Sequence, residues 1–239
     1  MRALALLVCL SVGCLAQRPQ PCSSPALLTG SLTIVSSHLS LCQIYSIYDN
    51  SKYLMHISFQ STQDEKWVAV AKYIYDALGE RIRLREIGSY DNKTFTLNVL
   101  LLYRQGVLYK ISERNKTCEK KRLNRDFHPL AIPKDANLLG QAVLGSSSGP
   151  GQGVLVNTWI GQLEMKNRTA KYMSTVTEFG CVPISTLVHT PKNGWMVTSF
   201  YNNVIGLRDP QQLIPPSFCK DAKLDKNQEE DPVDFYSLF

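Results

Sequence analysis

Four groups of residues in this chain have the types from which sites are made, and each faces a geometric test. Gly145-Ser146-Ser147-Ser148-Gly149 matches the G-x-S-x-G string of serine hydrolases, where a strained strand-to-helix turn exposes the central hydroxyl. A helix must follow such a serine. Here Pro150, Gly151 and Gly153 follow, so a turn-rich loop is the favoured reading and a hydrolase acting through Ser147 the minor one. The same glycines miss the dinucleotide spacing, and no lysine completes a P-loop. Cys22, Cys42, Cys118, Cys181 and Cys219 contain no Cys-x-x-Cys pair, and His38, His56, His128 and His189 are scattered, which argues against zinc. Between Asp221 and Asp234 six acids face only Lys223 and Lys226, yet no Asp-x-Asp-x-Asp-Gly loop gathers them, so weak calcium association is the most they support. No catalytic constellation can be assembled, and the chain reads as a binding protein rather than an enzyme.

The fourth group is a basic stretch, Lys110, Arg114, Lys116, Lys120, Lys121, Arg122 and Arg125, opposed only by Glu113 and Glu119. It suits a heparin-like polyanion or an anionic lipid surface, against the plainer reading of a solvated connection around Cys118. Nucleic acid is a weaker reading still, given the expected compartment. Arg2, the apolar run from Ala3 to Val12 and the small residues near Ala16 read as a secretory signal over residues 1–16, leaving Gln17 as the new amino terminus. Asn92, Asn115 and Asn167 each open an Asn-x-Thr sequon and are the expected N-glycosylation sites. No stretch approaches the roughly 18 apolar residues of a membrane span. The chain has 26 basic and 20 acidic residues, and the leader removes one base, so the processed protein stays mildly basic. Cys9 and Cys14 leave with the leader; of the remaining five cysteines four should pair in an oxidising compartment, with three pairings open for any four.

The elements that must position these residues read as strands. Trp67, Ala69, Ala71, Tyr73 and Tyr75 share one face, Asp76 to Gly79 turns the chain, and Ile82 and Leu84 alternate with Arg81, Arg83 and Arg85 in a hairpin with a basic outer edge. A second hairpin runs from Phe95 to Tyr103, turns at Arg104-Gln105-Gly106 and returns through Val107 to Ile111. Both faces of its centre are apolar, so it should lie between layers. Further strands are predicted over Val154 to Met165, Lys171 to Phe179 and Trp195 to Leu207, with residues 145–153 as a flexible connection. Pro210, Pro215 and Pro216 end the regular fold near Cys219, and residues 221–239 form an acidic, mobile tail. The class is all-β and one domain, residues 17–220, accounts for the length.

These residues resemble the ependymins, secreted glycoproteins of fish brain extracellular fluid, and their wider relatives. The resemblance is carried by Pro21-Cys22-Ser23-Ser24-Pro25, by Tyr75-Asp76-Ala77-Leu78-Gly79 with Arg81-Ile82-Arg83, by Asn92-Lys93-Thr94-Phe95, and by Leu101-Leu102-Tyr103-Arg104-Gln105-Gly106-Val107. It continues through Asn115-Lys116-Thr117-Cys118, Leu138-Leu139-Gly140-Gln141, Gly145 to Gly149, Thr177-Glu178-Phe179-Gly180-Cys181-Val182-Pro183 and Pro215-Pro216-Ser217-Phe218-Cys219. Residues 34–62, which contain Cys42, match nothing in the family and read as an insertion, with Cys42 unpaired and the segment's place in the mature protein open.

The resemblance implies disulfides between Cys22 and Cys181 and between Cys118 and Cys219. A third bridge of the related branch has no cysteines here, Lys93 standing near one position. It also implies two stacked antiparallel sheets forming a half-open barrel, similar to bacterial lipoprotein carriers, with an apolar cavity for fatty acid or other lipid. Calcium association, contact with extracellular matrix and a homodimer follow from the same likeness. So does a secreted destination, with the lysosome as alternative. A half-barrel must fill its centre with side chains or accept an apolar guest. Tyr73, Leu100, Leu102, Tyr109, Trp159, Met173 and Phe200, large apolar residues near the middle of predicted strands, are the cavity candidates, each of which is also a plausible core residue. The competing function is a matrix-adhesion protein that binds collagen or heparin-like polyanions.

Overall fold

Alternating side chains build more strands than the sequence pattern marked. The computed structural model describes residues 18–37, 67–90, 93–124, 126–165, 168–190 and 194–225. The strands are β1 (Leu27–Ser37), β2 (Trp67–Asp76), β3 (Arg81–Tyr90), β4 (Lys93–Leu102), β5 (Val107–Ser112), β6 (Thr117–Arg122), β7 (Asn137–Gly145), β8 (Gly153–Met165), β9 (Arg168–Thr177), β10 (Pro183–Thr190), β11 (Gly194–Ile205) and β12 (Leu224–Asp225). β1, β6, β7, β10 and β12 were not anticipated, and β12 lies within the stretch from residue 221 that was expected to be a mobile tail. Residues 34–37 of the expected insertion complete β1; the rest of it, with Cys42, lies outside the described residues, as do the leader and the acidic tail beyond Asp225.

The expectation of two separate stacked sheets is corrected by the hydrogen bonding. All strands join one twelve-stranded sheet in the order β12-β6-β5-β4-β3-β2-β1-β11-β10-β9-β8-β7. β1 is the reason, because it pairs antiparallel with β2 along one edge and with β11 along the other. Every neighbouring pair is antiparallel except β12 with β6. The outermost strands, β12 and β7, do not pair, so the sheet is not closed. A twisted sheet of this size curls rather than staying flat.

One face, called inner here, carries Leu28, Leu32 and Ile34 of β1, Ala71, Tyr73 and Tyr75 of β2, Ile82 and Leu84 of β3, Val99 and Leu101 of β4, Leu108 of β5 and Phe200 of β11 in a single buried cluster. The opposite face of β4 and β5 holds a second cluster of Leu100, Leu102, Tyr109 and Ile111. β4 is thus covered on both sides, as its doubly apolar centre required. Residues 123–136 cross the inner face: Leu123, Phe127 and Leu130 pack on the first cluster, and Ile132 and Ala136 on Trp159 and Val176 farther along. Phe127 stacks on Tyr75 and meets Tyr103 edge-on, with ring centroids 6.0 and 5.2 Å apart. The amino-terminal segment is laid beside this crossing, with Ser24 N–H donating to Leu130 O and Ile132 N–H to Cys22 O, each at 2.8 Å.

On the outer side, Leu207, Leu213, Phe218 and Cys219 cover the second cluster. Arg83 fastens this cover. It is buried, and donates from Nε to Asn98 Oδ1 at 3.1 Å, from one terminal nitrogen to Gln212 O at 2.8 Å and from the other to Glu113 at 3.2 Å. The basic outer edge expected of this hairpin therefore needs correction. Arg81 is ion-paired with the buried Asp76, Arg83 is internal, and only Arg85 is exposed. The bridges Cys22–Cys181 and Cys118–Cys219 are both formed, with Cα atoms 6.0 and 5.2 Å apart, in agreement with the pairing that the resemblance implied.

Candidate functional site

The inner face is divided by chemistry. Across β1 to β5 it is apolar apart from the buried Glu86 of β3, which the register places between Ala71 and Leu97, and Leu32, Ile34, Leu84 and Val99 are fully enclosed. Across β8 to β11 the register aligns Trp159, Ser174, Thr186 and Thr198 in one row, which continues into Ile34 on β1. Ser174 Oγ and Thr186 Oγ1 stand 3.5 Å apart and keep partial exposure, while Trp159 and Thr198 are buried on either side. The result is a hydroxyl strip that runs up to a hydrocarbon wall.

Three buried polar atoms of this region have no hydrogen-bond partner: Trp159 Nε1, Tyr172 Oη and Thr198 Oγ1. Tyr172 lies over Gly161, its cross-strand neighbour, where a Cβ would come within 2.6 Å of the phenolic oxygen. Burial, and then the charge of Asp135, raises its pKa above the ordinary phenol range. Farther along, Tyr73 is better provided for. Its hydroxyl donates to Asn203 Oδ1 at 2.6 Å, and Asn203 in turn donates to Pro183 O at 2.9 Å. Gly30, at a bulge of β1, makes this possible, since a Cβ there would stand 2.5 Å from Asn203 Oδ1 and 2.8 Å from the Tyr73 ring.

The seven cavity candidates do not gather in one lining. Tyr73 and Phe200 are inner-face neighbours in edge contact at 5.8 Å, and Trp159 is on the same face beneath Ile132 and Ala136. Leu100, Leu102 and Tyr109 point the other way, under the Leu207–Cys219 cover. Met173 belongs to an outer row that the register builds from Val68, Val35, Val197, Leu187, Met173 and Ile160. One residue of register decides the face, and mid-strand position alone could not. Sequence reading missed Tyr172, Ser174, Thr186 and Thr198, whose signal was a polar side chain at an inward position.

Two clefts of about 290 and 300 Å³ open elsewhere, one lined by Gly79, Arg81, Leu102, Arg104 and Gln105, the other by Arg83, Asp209, Gln211, Gln212 and Ile214 with two prolines. Their charged rims do not suit an apolar guest. Ser147 is exposed in the β7–β8 turn, where Ser146 N–H donates to Gln152 O at 2.9 Å, and no helix follows it. In the basic stretch Lys116 and Lys120 sit over the rings of Phe218 and Tyr109 at 5.3 and 5.6 Å. Asn115 is exposed in the β5–β6 turn, whereas Asn92 and Asn167 lie outside the described residues. Among the described residues no cluster of His, Cys, Asp and Glu has the makings of a metal site.

Comparison with known proteins gives the family of the chain. The ependymin family model matches residues 91–219. Ependymin-2 of Carassius auratus is 29% identical over 222 residues, spanning 92% of this chain and 88% of the relative. Ependymin of Notemigonus crysoleucas is 28% identical over 241 residues (98% and 97%), and ependymin-1 of Oncorhynchus mykiss 29% over 243 (99% and 96%). Among solved structures, a β-barrel-like protein of a domain of unknown function from Brucella abortus aligns at a TM-score of 0.27 with 7% identity, covering 77% of this chain and 99% of that one. The matched span holds both cysteines of one bridge and the second cysteine of the other, with all strands from β4 to β11. The chain belongs to the ependymin family.

Proposed function

We propose that this protein is a secreted, N-glycosylated carrier that takes a hydrophobic molecule, a fatty acid or another lipid, into the trough of a half-open barrel. The observation that carries the reading is the division of the inner face. A hydrocarbon wall on β1 to β5 adjoins a strip whose Ser174 and Thr186 keep partial exposure although they point inward. An amphipathic guest matches both halves, and sites for such guests are mostly apolar with a few polar anchors. Weak calcium association through the tail carboxylates and glycan acids accompanies this function. A homodimer is the working form, supported by β7, an edge strand exposed along its whole length and carrying Leu138, Leu139, Val143 and Leu144.

The matrix-adhesion reading keeps one observation of its own. Arg114, Lys116 and Arg122 are exposed on and around β6, beside the two-residue edge strand β12, where a collagen or heparin-like partner could reach them. Salt separates the two functions. Delipidated protein is titrated with fatty acid and with heparin while ionic strength is raised. Lipid binding that is insensitive to salt and shows a negative heat-capacity change supports the carrier. Heparin binding that collapses with salt, with no lipid uptake, supports adhesion and rejects the carrier.

A further inference from the structure

The unpartnered atoms of the inner face are not spread evenly. Trp159 and Gly161 are two residues apart on one face of β8, about 7 Å along the strand, and the Tyr172 ring lies on Gly161. Ala136 of the crossing segment packs against the clusters of both Trp159 and Tyr172, so the two side chains share one roof. Both are more than nine-tenths buried, at 2% and 6% exposure. A buried donor without a partner is costly, and native proteins keep few of them. Ser174 and Thr186 extend the same patch toward Thr198 and the apolar wall.

We propose that Trp159 Nε1 and Tyr172 Oη, with the hydroxyl row of Ser174, Thr186 and Thr198 beside them, are the head-group subsite for a lipid with an uncharged, oxygen-rich head, such as a monoacylglycerol. The assignment rests on the carrier reading above and narrows its ligand. All the donors are neutral. On the rows of Trp159 and Gly161 the inward positions of β9 to β11 carry Ser174, Thr186, Thr198, Tyr172, Val188 and Met196 and no Lys, Arg or His; the inward register position of β9 that holds a cation, Arg168, is four residues from Tyr172, at the strand's start, and Asp135 is close enough to act on Tyr172. An ionised fatty-acid carboxylate moved here would lose its hydration without gaining a cation. A glycerol ester offers carbonyl and hydroxyl oxygens to the same donors at no such cost, and it reaches them from the side of Ser174 and Thr186, which keep partial exposure.

The test uses the full-length, glycosylated, delipidated protein with three probes: 1-monooleoylglycerol, oleate in mildly alkaline buffer, and hexadecane, which has no head. Monooleoylglycerol should bind about tenfold more tightly than oleate. Trp159→Phe and Tyr172→Phe, which keep the rings, should each weaken it by about tenfold, the loss of one buried hydrogen bond. Neither should change hexadecane binding. Without lipid, both variants and Thr198→Val should unfold at the same or a higher temperature than the parent, since each removes a polar atom that has no partner. Oleate binding as tightly as monooleoylglycerol, or equal losses for hexadecane, would overturn the head-group assignment and leave the carrier standing. Binding of none of the probes would overturn the carrier itself.

Discussion

Arg83 shows how a residue's type and its job can part company. In an alternating stretch with Arg81 and Arg85 it reads as one of three surface cations, but it lies inside the protein and holds the carboxy-terminal cover through Gln212. Burial, with Arg85 nearby, lowers its pKa, and Glu113 only partly restores it. Arg83→Met should cost about 2 kcal/mol in denaturant unfolding, the value of charged hydrogen bonds lost without a remaining partner, whereas Arg85→Met should cost close to nothing. Equal effects would show that the staple is not structural. The buried phenols make a second test. Burial raises the pKa of Tyr73, Tyr75 and Tyr172 in the folded state, so the stability they add is whole below the unfolded value of about 10 and drains away as pH climbs from there toward the folded values. In an alkaline titration these three of the eleven tyrosines should ionise only together with unfolding. Smooth, reversible ionisation of all eleven in folded protein would contradict their burial. The sequence showed which residues were large and apolar; it could not show that Tyr172 and Thr198 end with polar atoms unpaired, because that depends on what crosses above them.

The segment 123–136 holds only an isolated bridge residue, Ala131, yet it roofs the inner face. Its apolar residues, Leu123, Phe127, Leu130 and Ile132, have no strand or helix period, which is why pattern reading passed over it. Phe127→Ala should lose about 3 kcal/mol, because a ring that meets both Tyr75 and Tyr103 has no substitute. The outer cover depends on a covalent tie as well. Breaking Cys118–Cys219, which spans 101 residues, should cost about 4 to 5 kcal/mol in the chain-entropy model and free Leu100, Leu102 and Tyr109 to bind a hydrophobic dye. Dye binding unchanged in Cys219→Ser would mean that packing alone retains the cover. For β7, Val143→Lys should shift a dimer toward monomer in sedimentation while leaving the melting temperature in place. β7 went unread because its residues are apolar on both faces with no alternation, and nothing in such a run marks an edge.

At the scale of the molecule, the all-β class and both hairpins flanking Asp76–Gly79 and Tyr103–Gly106 were legible from alternation and turn residues alone. The family was legible from the spaced motifs. The single sheet was not. It hinges on β1, whose Leu-, Thr- and Ser-rich sequence pairs with strands near both ends of the chain, and pairing partners are not written in any local pattern. Peptide-N-glycosidase treatment of protein expressed in glycosylating cells should give a mass change that includes Asn115, the sequon seen exposed in a tight turn. A fully unmodified Asn115 would contradict the glycosylation expected at that sequon.

Because β1 waits for β11, whose residues 194–205 follow it by more than a hundred and fifty positions, the amino-terminal half emerges from the ribosome with one flank unmet. Contacts so remote close slowly and leave the nascent chain adhesive in the interval. Cys22 must likewise hold its thiol in reserve until Cys181 arrives. Maturation should therefore be post-translational and dependent on lumenal helpers, and a chain halted before β11 should be held back by quality control rather than exported.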